Sequence, residues 1–287
     1  MSPEGCARID GAESMTRSQR RWDIIAHVVL IIFSAIILLP ILWTVRTSFA
    51  SEVIAYEIPP RIFFKPTLEN YRNIFVENNF ARYFRNSFVV ALVSTLISIP
   101  LAAFAGYAFA KYNTGGDRLR FLVISSQMLP PVVLIIPLFS IFMKLHLVNT
   151  IRGLTISYLA FNLPFLVWIL MGFFESIPKE LEEAALIDGA SRFTAFIRVI
   201  FPIAAPGIMA AAVLSFILCW NEFLFALVLT GADSSTVPVA LAALQTQRGV
   251  LIGKLSAGVV VAIAPIVILS LFIQKYLVKG LSFGAIK

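Results

Sequence analysis

The stretch SIPKELEEAALIDGASRFTAFIRVIFPIAAP, residues 176–206, is a long, charged, helix-favouring segment enclosed between apolar runs of membrane length. Ser176 is placed to cap a helix that Pro178 begins, since proline's missing N–H costs nothing in a first turn. Glu180, Glu182 and Glu183 then fall near the positive end of the helix dipole. The helix is expected to run to about Ile187. Asp188-Gly189 ends it, because glycine accepts the left-handed conformation of a helix exit. Ser191 is placed to cap a second helix carrying Phe193, Phe196, Ile197 and Ile200 on one face. Pro202 and Pro206 close the unit. Two short helices joined at a glycine, acidic at one end and bulky and apolar at the other, are suited to be held by another protein.

The surroundings explain why such a device stands out. Of 287 residues, 59% are hydrophobic and 14% charged, and mean hydropathy is +0.88. A soluble globule is roughly 45–50% apolar, so the chain reads as an all-α, polytopic membrane protein in contact with lipid. The net charge of +7 does not imply nucleic acid, because Lys and Arg sit scattered at the ends of apolar runs rather than in a stripe. Cys6 and Cys219 are unlikely partners by position, and neither a disulfide framework nor a thiolate metal site is expected.

Six runs are long enough to cross a bilayer at roughly 20 residues per crossing. They are Ile24–Val45, Asn86–Ala110, Phe121–Met143, Gly153–Phe174, Gly207–Thr230 and Leu255–Gln274. The segments between them are a tail at 1–23, loops or turns at 46–85, 111–120, 144–152, 175–206 and 231–254, and a tail at 275–287. The run after the N-terminal tail lacks a small-residue cleavage site and is too long for a signal-peptide core, so it reads as a retained anchor. Basic residues favour the cytoplasmic side. With both termini inside, 13 of the 23 fall there, and density strengthens the vote: Lys111, Arg118 and Arg120 share one short turn, and Arg17, Arg20 and Arg21 flank the first run. The 175–206 loop is therefore expected in the cytoplasm. Prolines at 40, 100, 130, 131, 137, 164 and 265 lie within the crossings and are expected to kink helices, the cluster at 130–137 most of all.

Catalytic constellations are missing. A phosphate loop G-x-x-x-x-G-K-[ST] does not occur, so ATP hydrolysis by that route is excluded, and neither G-x-S-x-G nor H-E-x-x-H is present. His27 and His146 have no spacing for zinc or a nucleophile pair. No catalytic and no metal-ligating residues are assigned. Glu222, in Trp220-Asn221-Glu222-Phe223, is the only acid inside a crossing. It lies about 12 Å from the end at Thr230, at 1.5 Å per residue. Pairing near an interface and a role on a transport path both remain open for it. Gln127, Asn162 and Asn221, near Phe161, Trp168 and Trp220, offer either helix-to-helix hydrogen bonds or a lining of polar groups and ring faces suited to a sugar.

Glu183-Ala184-Ala185, three residues, Gly189, nine residues, Val199, one residue, Phe201-Pro202 resembles the cytoplasmic EAA motif of binding-protein-dependent ABC importer permeases. That motif reads Glu-Ala-Ala, three residues, Gly, nine residues, Ile, one residue, Leu-Pro. The spacing is kept, with Val for Ile and Phe for Leu. WNEFLFALVLT (220–230), PTLENYRNIF (66–75), RTSF (46–49) and the tail LVKGLSFGAIK resemble the maltose-type carbohydrate-uptake branch, specifically its smaller six-helix permease. The resemblance implies a type I ABC importer permease in a bacterial inner membrane, paired with a homologous second permease, two ATPase subunits and an extracytoplasmic solute-binding protein. The imported solute would be a sugar or polyol. ATP and Mg would bind the ATPases, leaving this chain without a cofactor. Glu183, Ala184, Ala185, Asp188, Gly189 and Pro202 would form the ATPase-coupling region, and Gln127, Asn162, Trp220, Asn221 and Glu222 are candidates for the translocation path. The alternative is a stand-alone ion-coupled transporter with Glu222 as its coupling acid.

Overall fold

The computed structural model describes residues 17–246 and 249–284. Cys6, Arg8, Arg248 and Lys287, which entered the topology and cysteine expectations, lie outside them. Thirteen α-helices follow in order among the described residues. They are α1 (Arg17–Ser48), α2 (Glu52–Ala55), α3 (Glu69–Val76), α4 (Phe80–Tyr112), α5 (Gly116–Ser125), α6 (Pro131–Lys144), α7 (Ile151–Glu175), α8 (Glu180–Ile187), α9 (Arg192–Ala195), α10 (Phe201–Trp220), α11 (Leu224–Leu229), α12 (Val237–Ala243) and α13 (Ile252–Gly284). A two-residue antiparallel pair, Gln245–Thr246 with Gly249–Val250, precedes α13.

Five of these helical stretches are long and apolar enough to cross a membrane, and a sixth is formed if one bent pair counts as a single span. The bent pair is the run expected at Phe121–Met143. It is two helices, Gly116–Met128 and Pro131–Lys144, meeting at 93°. Leu129 and Pro130 are extended there, with ψ of 123° and 126°. The ring of a proline excludes the α conformation from the residue before it, and two prolines in succession enforce this twice. Pro40, Pro100, Pro164 and Pro265 instead remain inside continuous helices.

The fifth span is drawn differently from the expectation of Gly207–Thr230. It begins at Arg192 and ends at Trp220. Pro202 and Pro206 therefore do not close the loop but lie within the span. A π turn at Phe196–Ile200 joins α9 to α10. The widened turn makes room for a proline ring that in a regular helix collides with the carbonyl four residues back, here that of Arg198. At the other end, Asn221–Phe223 break the helix before α11 resumes it.

The centre of the molecule is the α4–α7 pairing, with α10 laid across both. Small residues recur along α4 at Ala91, Ser94, Thr95, Ser98, Ala102 and Gly106, all buried or nearly so. At Gly106 a Cβ would stand 3.0 Å from the Met171 nitrogen and 3.2 Å from the Val167 oxygen, so the backbones touch. Membrane helices associate through such close packing because lipid supplies no hydrophobic drive between them. Two apolar clusters result. One gathers Phe80, Tyr158, Phe216 and Trp220; the other gathers Tyr107, Phe174, Phe196 and Ile200 at the end that bears α8 and α9. Between them lies a polar seam. Asn162 Nδ2 donates to Ser215 Oγ at 2.6 Å and to Ser98 Oγ at 3.4 Å, and Thr95 Oγ1 meets Ser215 Oγ at 3.0 Å.

The end opposite α8 is tied by side chains reaching between distant segments. Glu52 accepts from the Gly253 and Lys254 N–H groups, capping α13 from the first loop. Asn70 Nδ2 donates to the Ser48 and Ala50 carbonyls. Asn86 Nδ2 donates to the Asp233 and Ser235 carbonyls, Arg82 pairs with Asp233, and Ser87 Oγ accepts from Val237 N–H. Helix α1 packs mainly along α13, with its last residue, Ser48, bonded to Asn70 and Tyr71 of α3, and none of its most apolar window is buried.

Candidate functional site

The segment 176–200 folds as two short helices around a glycine. Ser176 does not cap the first of them. It closes α7, donating its hydroxyl to the Phe173 carbonyl, and α8 starts beyond Lys179 with no side-chain cap. Glu180, Glu182 and Glu183 occupy the first turn, where the dipole favours them. Gly189 has φ of +88°, the left-handed exit that its lack of a Cβ permits. Gly189 N–H reaches the Leu186 carbonyl at 3.1 Å and Ala190 N–H reaches the Ala185 carbonyl at 3.0 Å, the two bonds of a Schellman closure. Ser191 then caps α9, accepting from Thr194 N–H at 3.2 Å.

One face of this unit turns inward and the other is largely uncovered by the described residues. Ala195, Phe196 and Ile200 are buried, Phe196 and Ile200 in one cluster with Tyr107 and Phe174. The expected apolar face is thus split by the π turn: Phe193 and Ile197 point out, with Phe193 still stacked on Phe104 at 6.2 Å. Glu183, Ala184, Asp188 and Gly189 are exposed, Ala185 is half-buried, and no atom lies within 4 Å of where a Gly189 Cβ would be. Ile187 is 86% exposed, an apolar side chain standing free at the tip of α8. Pro202 lies beyond this surface, on the span. Glu182, in the first turn as expected, is also buried and accepts a hydrogen bond from Tyr112. Its partner sits 70 positions away, so spacing alone carries no sign of the contact.

The path candidates do not form one site. Gln127 lies in the turn before the bend, where its Nε2 donates to the Phe161 carbonyl at 2.7 Å. It lines a cavity of about 400 Å³ between the bend, α6 and α7, together with Ser126, Ser157, Phe161 and Phe225. Phe161 and Phe225 stack at 5.8 Å with ring planes 7° apart. Asn162, next in sequence to Phe161, points the other way into the polar seam and is fully buried. Trp220 is buried and donates to the Ala262 carbonyl, tying α10 to α13. Asn221 is exposed and bonds back to Ile217. Trp168 lies by Phe109 and Arg120, away from the cavity.

Glu222 is explained by the helix break. Its Oε1 accepts from Phe225 N–H at 2.9 Å and its Oε2 from Ala226 N–H at 3.1 Å. Both carboxylate oxygens are spent on the first orphan donors of α11, a stabilising arrangement at a helix start. A charge that looks costly inside a continuous span is inexpensive where the span is interrupted and supplies N–H groups.

A family model for "Binding-protein-dependent transport system inner membrane component" matches residues 98–283. Among similar proteins is a trehalose/maltose transport system permease protein of Thermococcus litoralis, 36% identical over 276 residues, covering 93% of this chain and 99% of the relative. A diacetylchitobiose uptake system permease protein of Streptomyces coelicolor is 34% identical over 284 residues, covering 96% and 93%. In structure, the chain is similar to a bacterial ABC transporter involved in the import of the acidic polysaccharide alginate. The TM-score is 0.70 at 26% identity, over 91% of this chain and 98% of that one.

Proposed function

This chain belongs to the family of binding-protein-dependent transport system inner membrane components, and on that premise we propose that it is the permease subunit of an ATP-binding-cassette importer for a sugar or polyol. Relatives along nearly its whole length are named for the uptake of trehalose or maltose and of diacetylchitobiose. In this reading it sits in a bacterial inner membrane with both termini cytoplasmic and forms half of the path beside a homologous second permease. It assembles with two ATPase subunits and receives solute from an extracytoplasmic binding protein. ATP and Mg bind the ATPases, and this chain carries neither cofactor nor catalytic group.

The observation that carries the coupling assignment is the exposed surface of α8 and Gly189. Glu183, Ala184, Asp188 and Gly189 form a thin, rigidly closed protrusion that none of the described residues covers, with Ile187 at its tip. Large apolar side chains left free on a soluble-facing helix mark a contact surface. The cavity at the bend, with Gln127 and the Phe161–Phe225 stack, is the part of the path that this chain supplies: amide for hydroxyl groups, ring faces for the apolar face of a sugar. A stand-alone ion-coupled carrier is not favoured. Its coupling acid would be Glu222, whose carboxylate is already engaged by two backbone donors.

The test is copurification of the tagged chain with its ATPase, followed by uptake measurements on Gly189→Trp. A bulky side chain at a positive-φ position in the contact surface is expected to lower uptake at least tenfold while membrane abundance stays near normal. Uptake equal to that of the parent protein would remove the assignment.

A further inference from the structure

Helix α8 is fastened to the span α4 at a place that the motif does not include, and resting on the importer reading above, we infer that Glu182, Tyr112 and Arg192 are positioning residues that make α8, α9 and the end of α4 one moving unit. Glu182 is buried, at 6% exposure, although Glu180 and Glu183 beside it face solvent. Its carboxylate accepts the hydroxyl of Tyr112, the final residue of α4. On the same ring stands Arg192, the first residue of α9, its guanidinium carbon 4.8 Å from the ring centre. One tyrosine thus holds both halves of the loop, by a charge-assisted hydrogen bond to one and a cation–π contact to the other. Lys111 adds a bond from its ammonium to the Ile177 carbonyl just ahead of α8. One helical turn below, Tyr107 packs on Phe196 with ring centres 4.6 Å apart.

Where α4 leads gives the clasp its meaning. The helix is continuous for 33 residues, about 50 Å at 1.5 Å per residue. Its other end holds the segment 233–237 through Arg82, Asn86 and Ser87. A displacement of α8 is therefore delivered through Tyr112 to a rod whose far end carries the loop on the opposite face. The exposed surface of α8 receives the push, and the buried face of the same helix passes it on.

The probe is ATP with orthovanadate, which needs no knowledge of the solute. In the assembled transporter, Ala232→Cys, exposed beside the held segment, is labelled with a maleimide before and after vanadate trapping, with Cys6 replaced by Ser. The expected result is a change in labelling rate of at least threefold, falling below about 1.5-fold when Tyr112→Phe or Glu182→Ala is added. Glu182→Gln, which keeps an acceptor for the tyrosine, retains most of the response. An unchanged response in Tyr112→Phe and Glu182→Ala overturns the inference, as does a parent transporter in which Ala232→Cys is indifferent to trapping. A second measurement needs no ATPase: in the purified full chain, amide hydrogen exchange over 180–195 is expected to quicken at least fivefold in Tyr112→Phe and Glu182→Ala, and equal exchange also overturns it. A chain that recruits no ATPase yet shows the faster exchange defeats the importer reading and leaves the clasp standing.

Discussion

Glu222 illustrates how a residue's chemistry is set by what the backbone does beside it. The sequence marks it as anomalous, an acid inside an apolar run, but its role depends on a helix break that no glycine or proline announces. With the break in place, both oxygens cap α11. Replacing a capping side chain by alanine typically costs about 0.5–2 kcal/mol. Glu222→Ala is therefore expected to lower the thermal midpoint of the purified transporter by a few degrees, Glu222→Gln by less, and uptake in either variant to remain insensitive to proton ionophores. Loss of uptake with no change in thermal midpoint would instead place the carboxylate on the path. Asn162 is the converse case: the polar character inside a span was legible, and the choice between lining a path and joining helices was not, because the two outcomes differ only by which way one face of α7 turns.

At the level of elements, hydropathy made the six apolar runs readable, and the Pro130-Pro131 pair made the bend readable as a kink. The register of the fifth span was not. A run of apolar residues has no internal mark for where a helix begins, and the π turn that makes room for Pro202 is a backbone adjustment without a composition signature. The small-residue row on α4 carries a sharper consequence. A side chain at Gly106 has no free volume against the α7 backbone. Overpacking of this kind costs about 1–3 kcal/mol. Gly106→Leu is expected to reduce folded yield and thermal midpoint strongly, Gly106→Ala modestly, as read by size-exclusion recovery in detergent. An α4–α7 pair that tolerates leucine without loss would mean that the helices separate more readily than their contact implies.

For the whole molecule, the family assignment explains why so much apolar surface is unsatisfied by the chain itself. Ile187 touches almost nothing here, so Ile187→Asp is expected to leave stability within about 0.5 kcal/mol, as exposed substitutions usually do. Uptake and recovery of the ATPase are expected to fall at least tenfold, measured by transport and pull-down on the same membranes. A stability loss matching the uptake loss would show that the residue serves the fold. The motif spacing singled out this stretch in the sequence, but the division of its helix into an exposed and a buried face was not legible, since Glu182 and Glu183 are adjacent and chemically identical.

The Glu52 cap on α13 bears on how the protein is made. Glu52 and the N–H donors it accepts from, Gly253 and Lys254, are 201 and 202 positions apart. At roughly 5–20 residues per second of synthesis, Glu52 leaves the ribosome about 10–40 s before its partners exist. Throughout that interval the first loop holds a carboxylate with no helix to cap, although the Ser48–Ala50 corner beside it already has its partner in Asn70, 20 and 22 positions on. Translation therefore closes this end of the molecule in stages, Asn70 to Ser48 and Ala50 first, Arg82, Asn86 and Ser87 to 233–237 next, and the Glu52 cap last, so a ribosome that stalls before Ile252 leaves a chain lacking that final fastening alone.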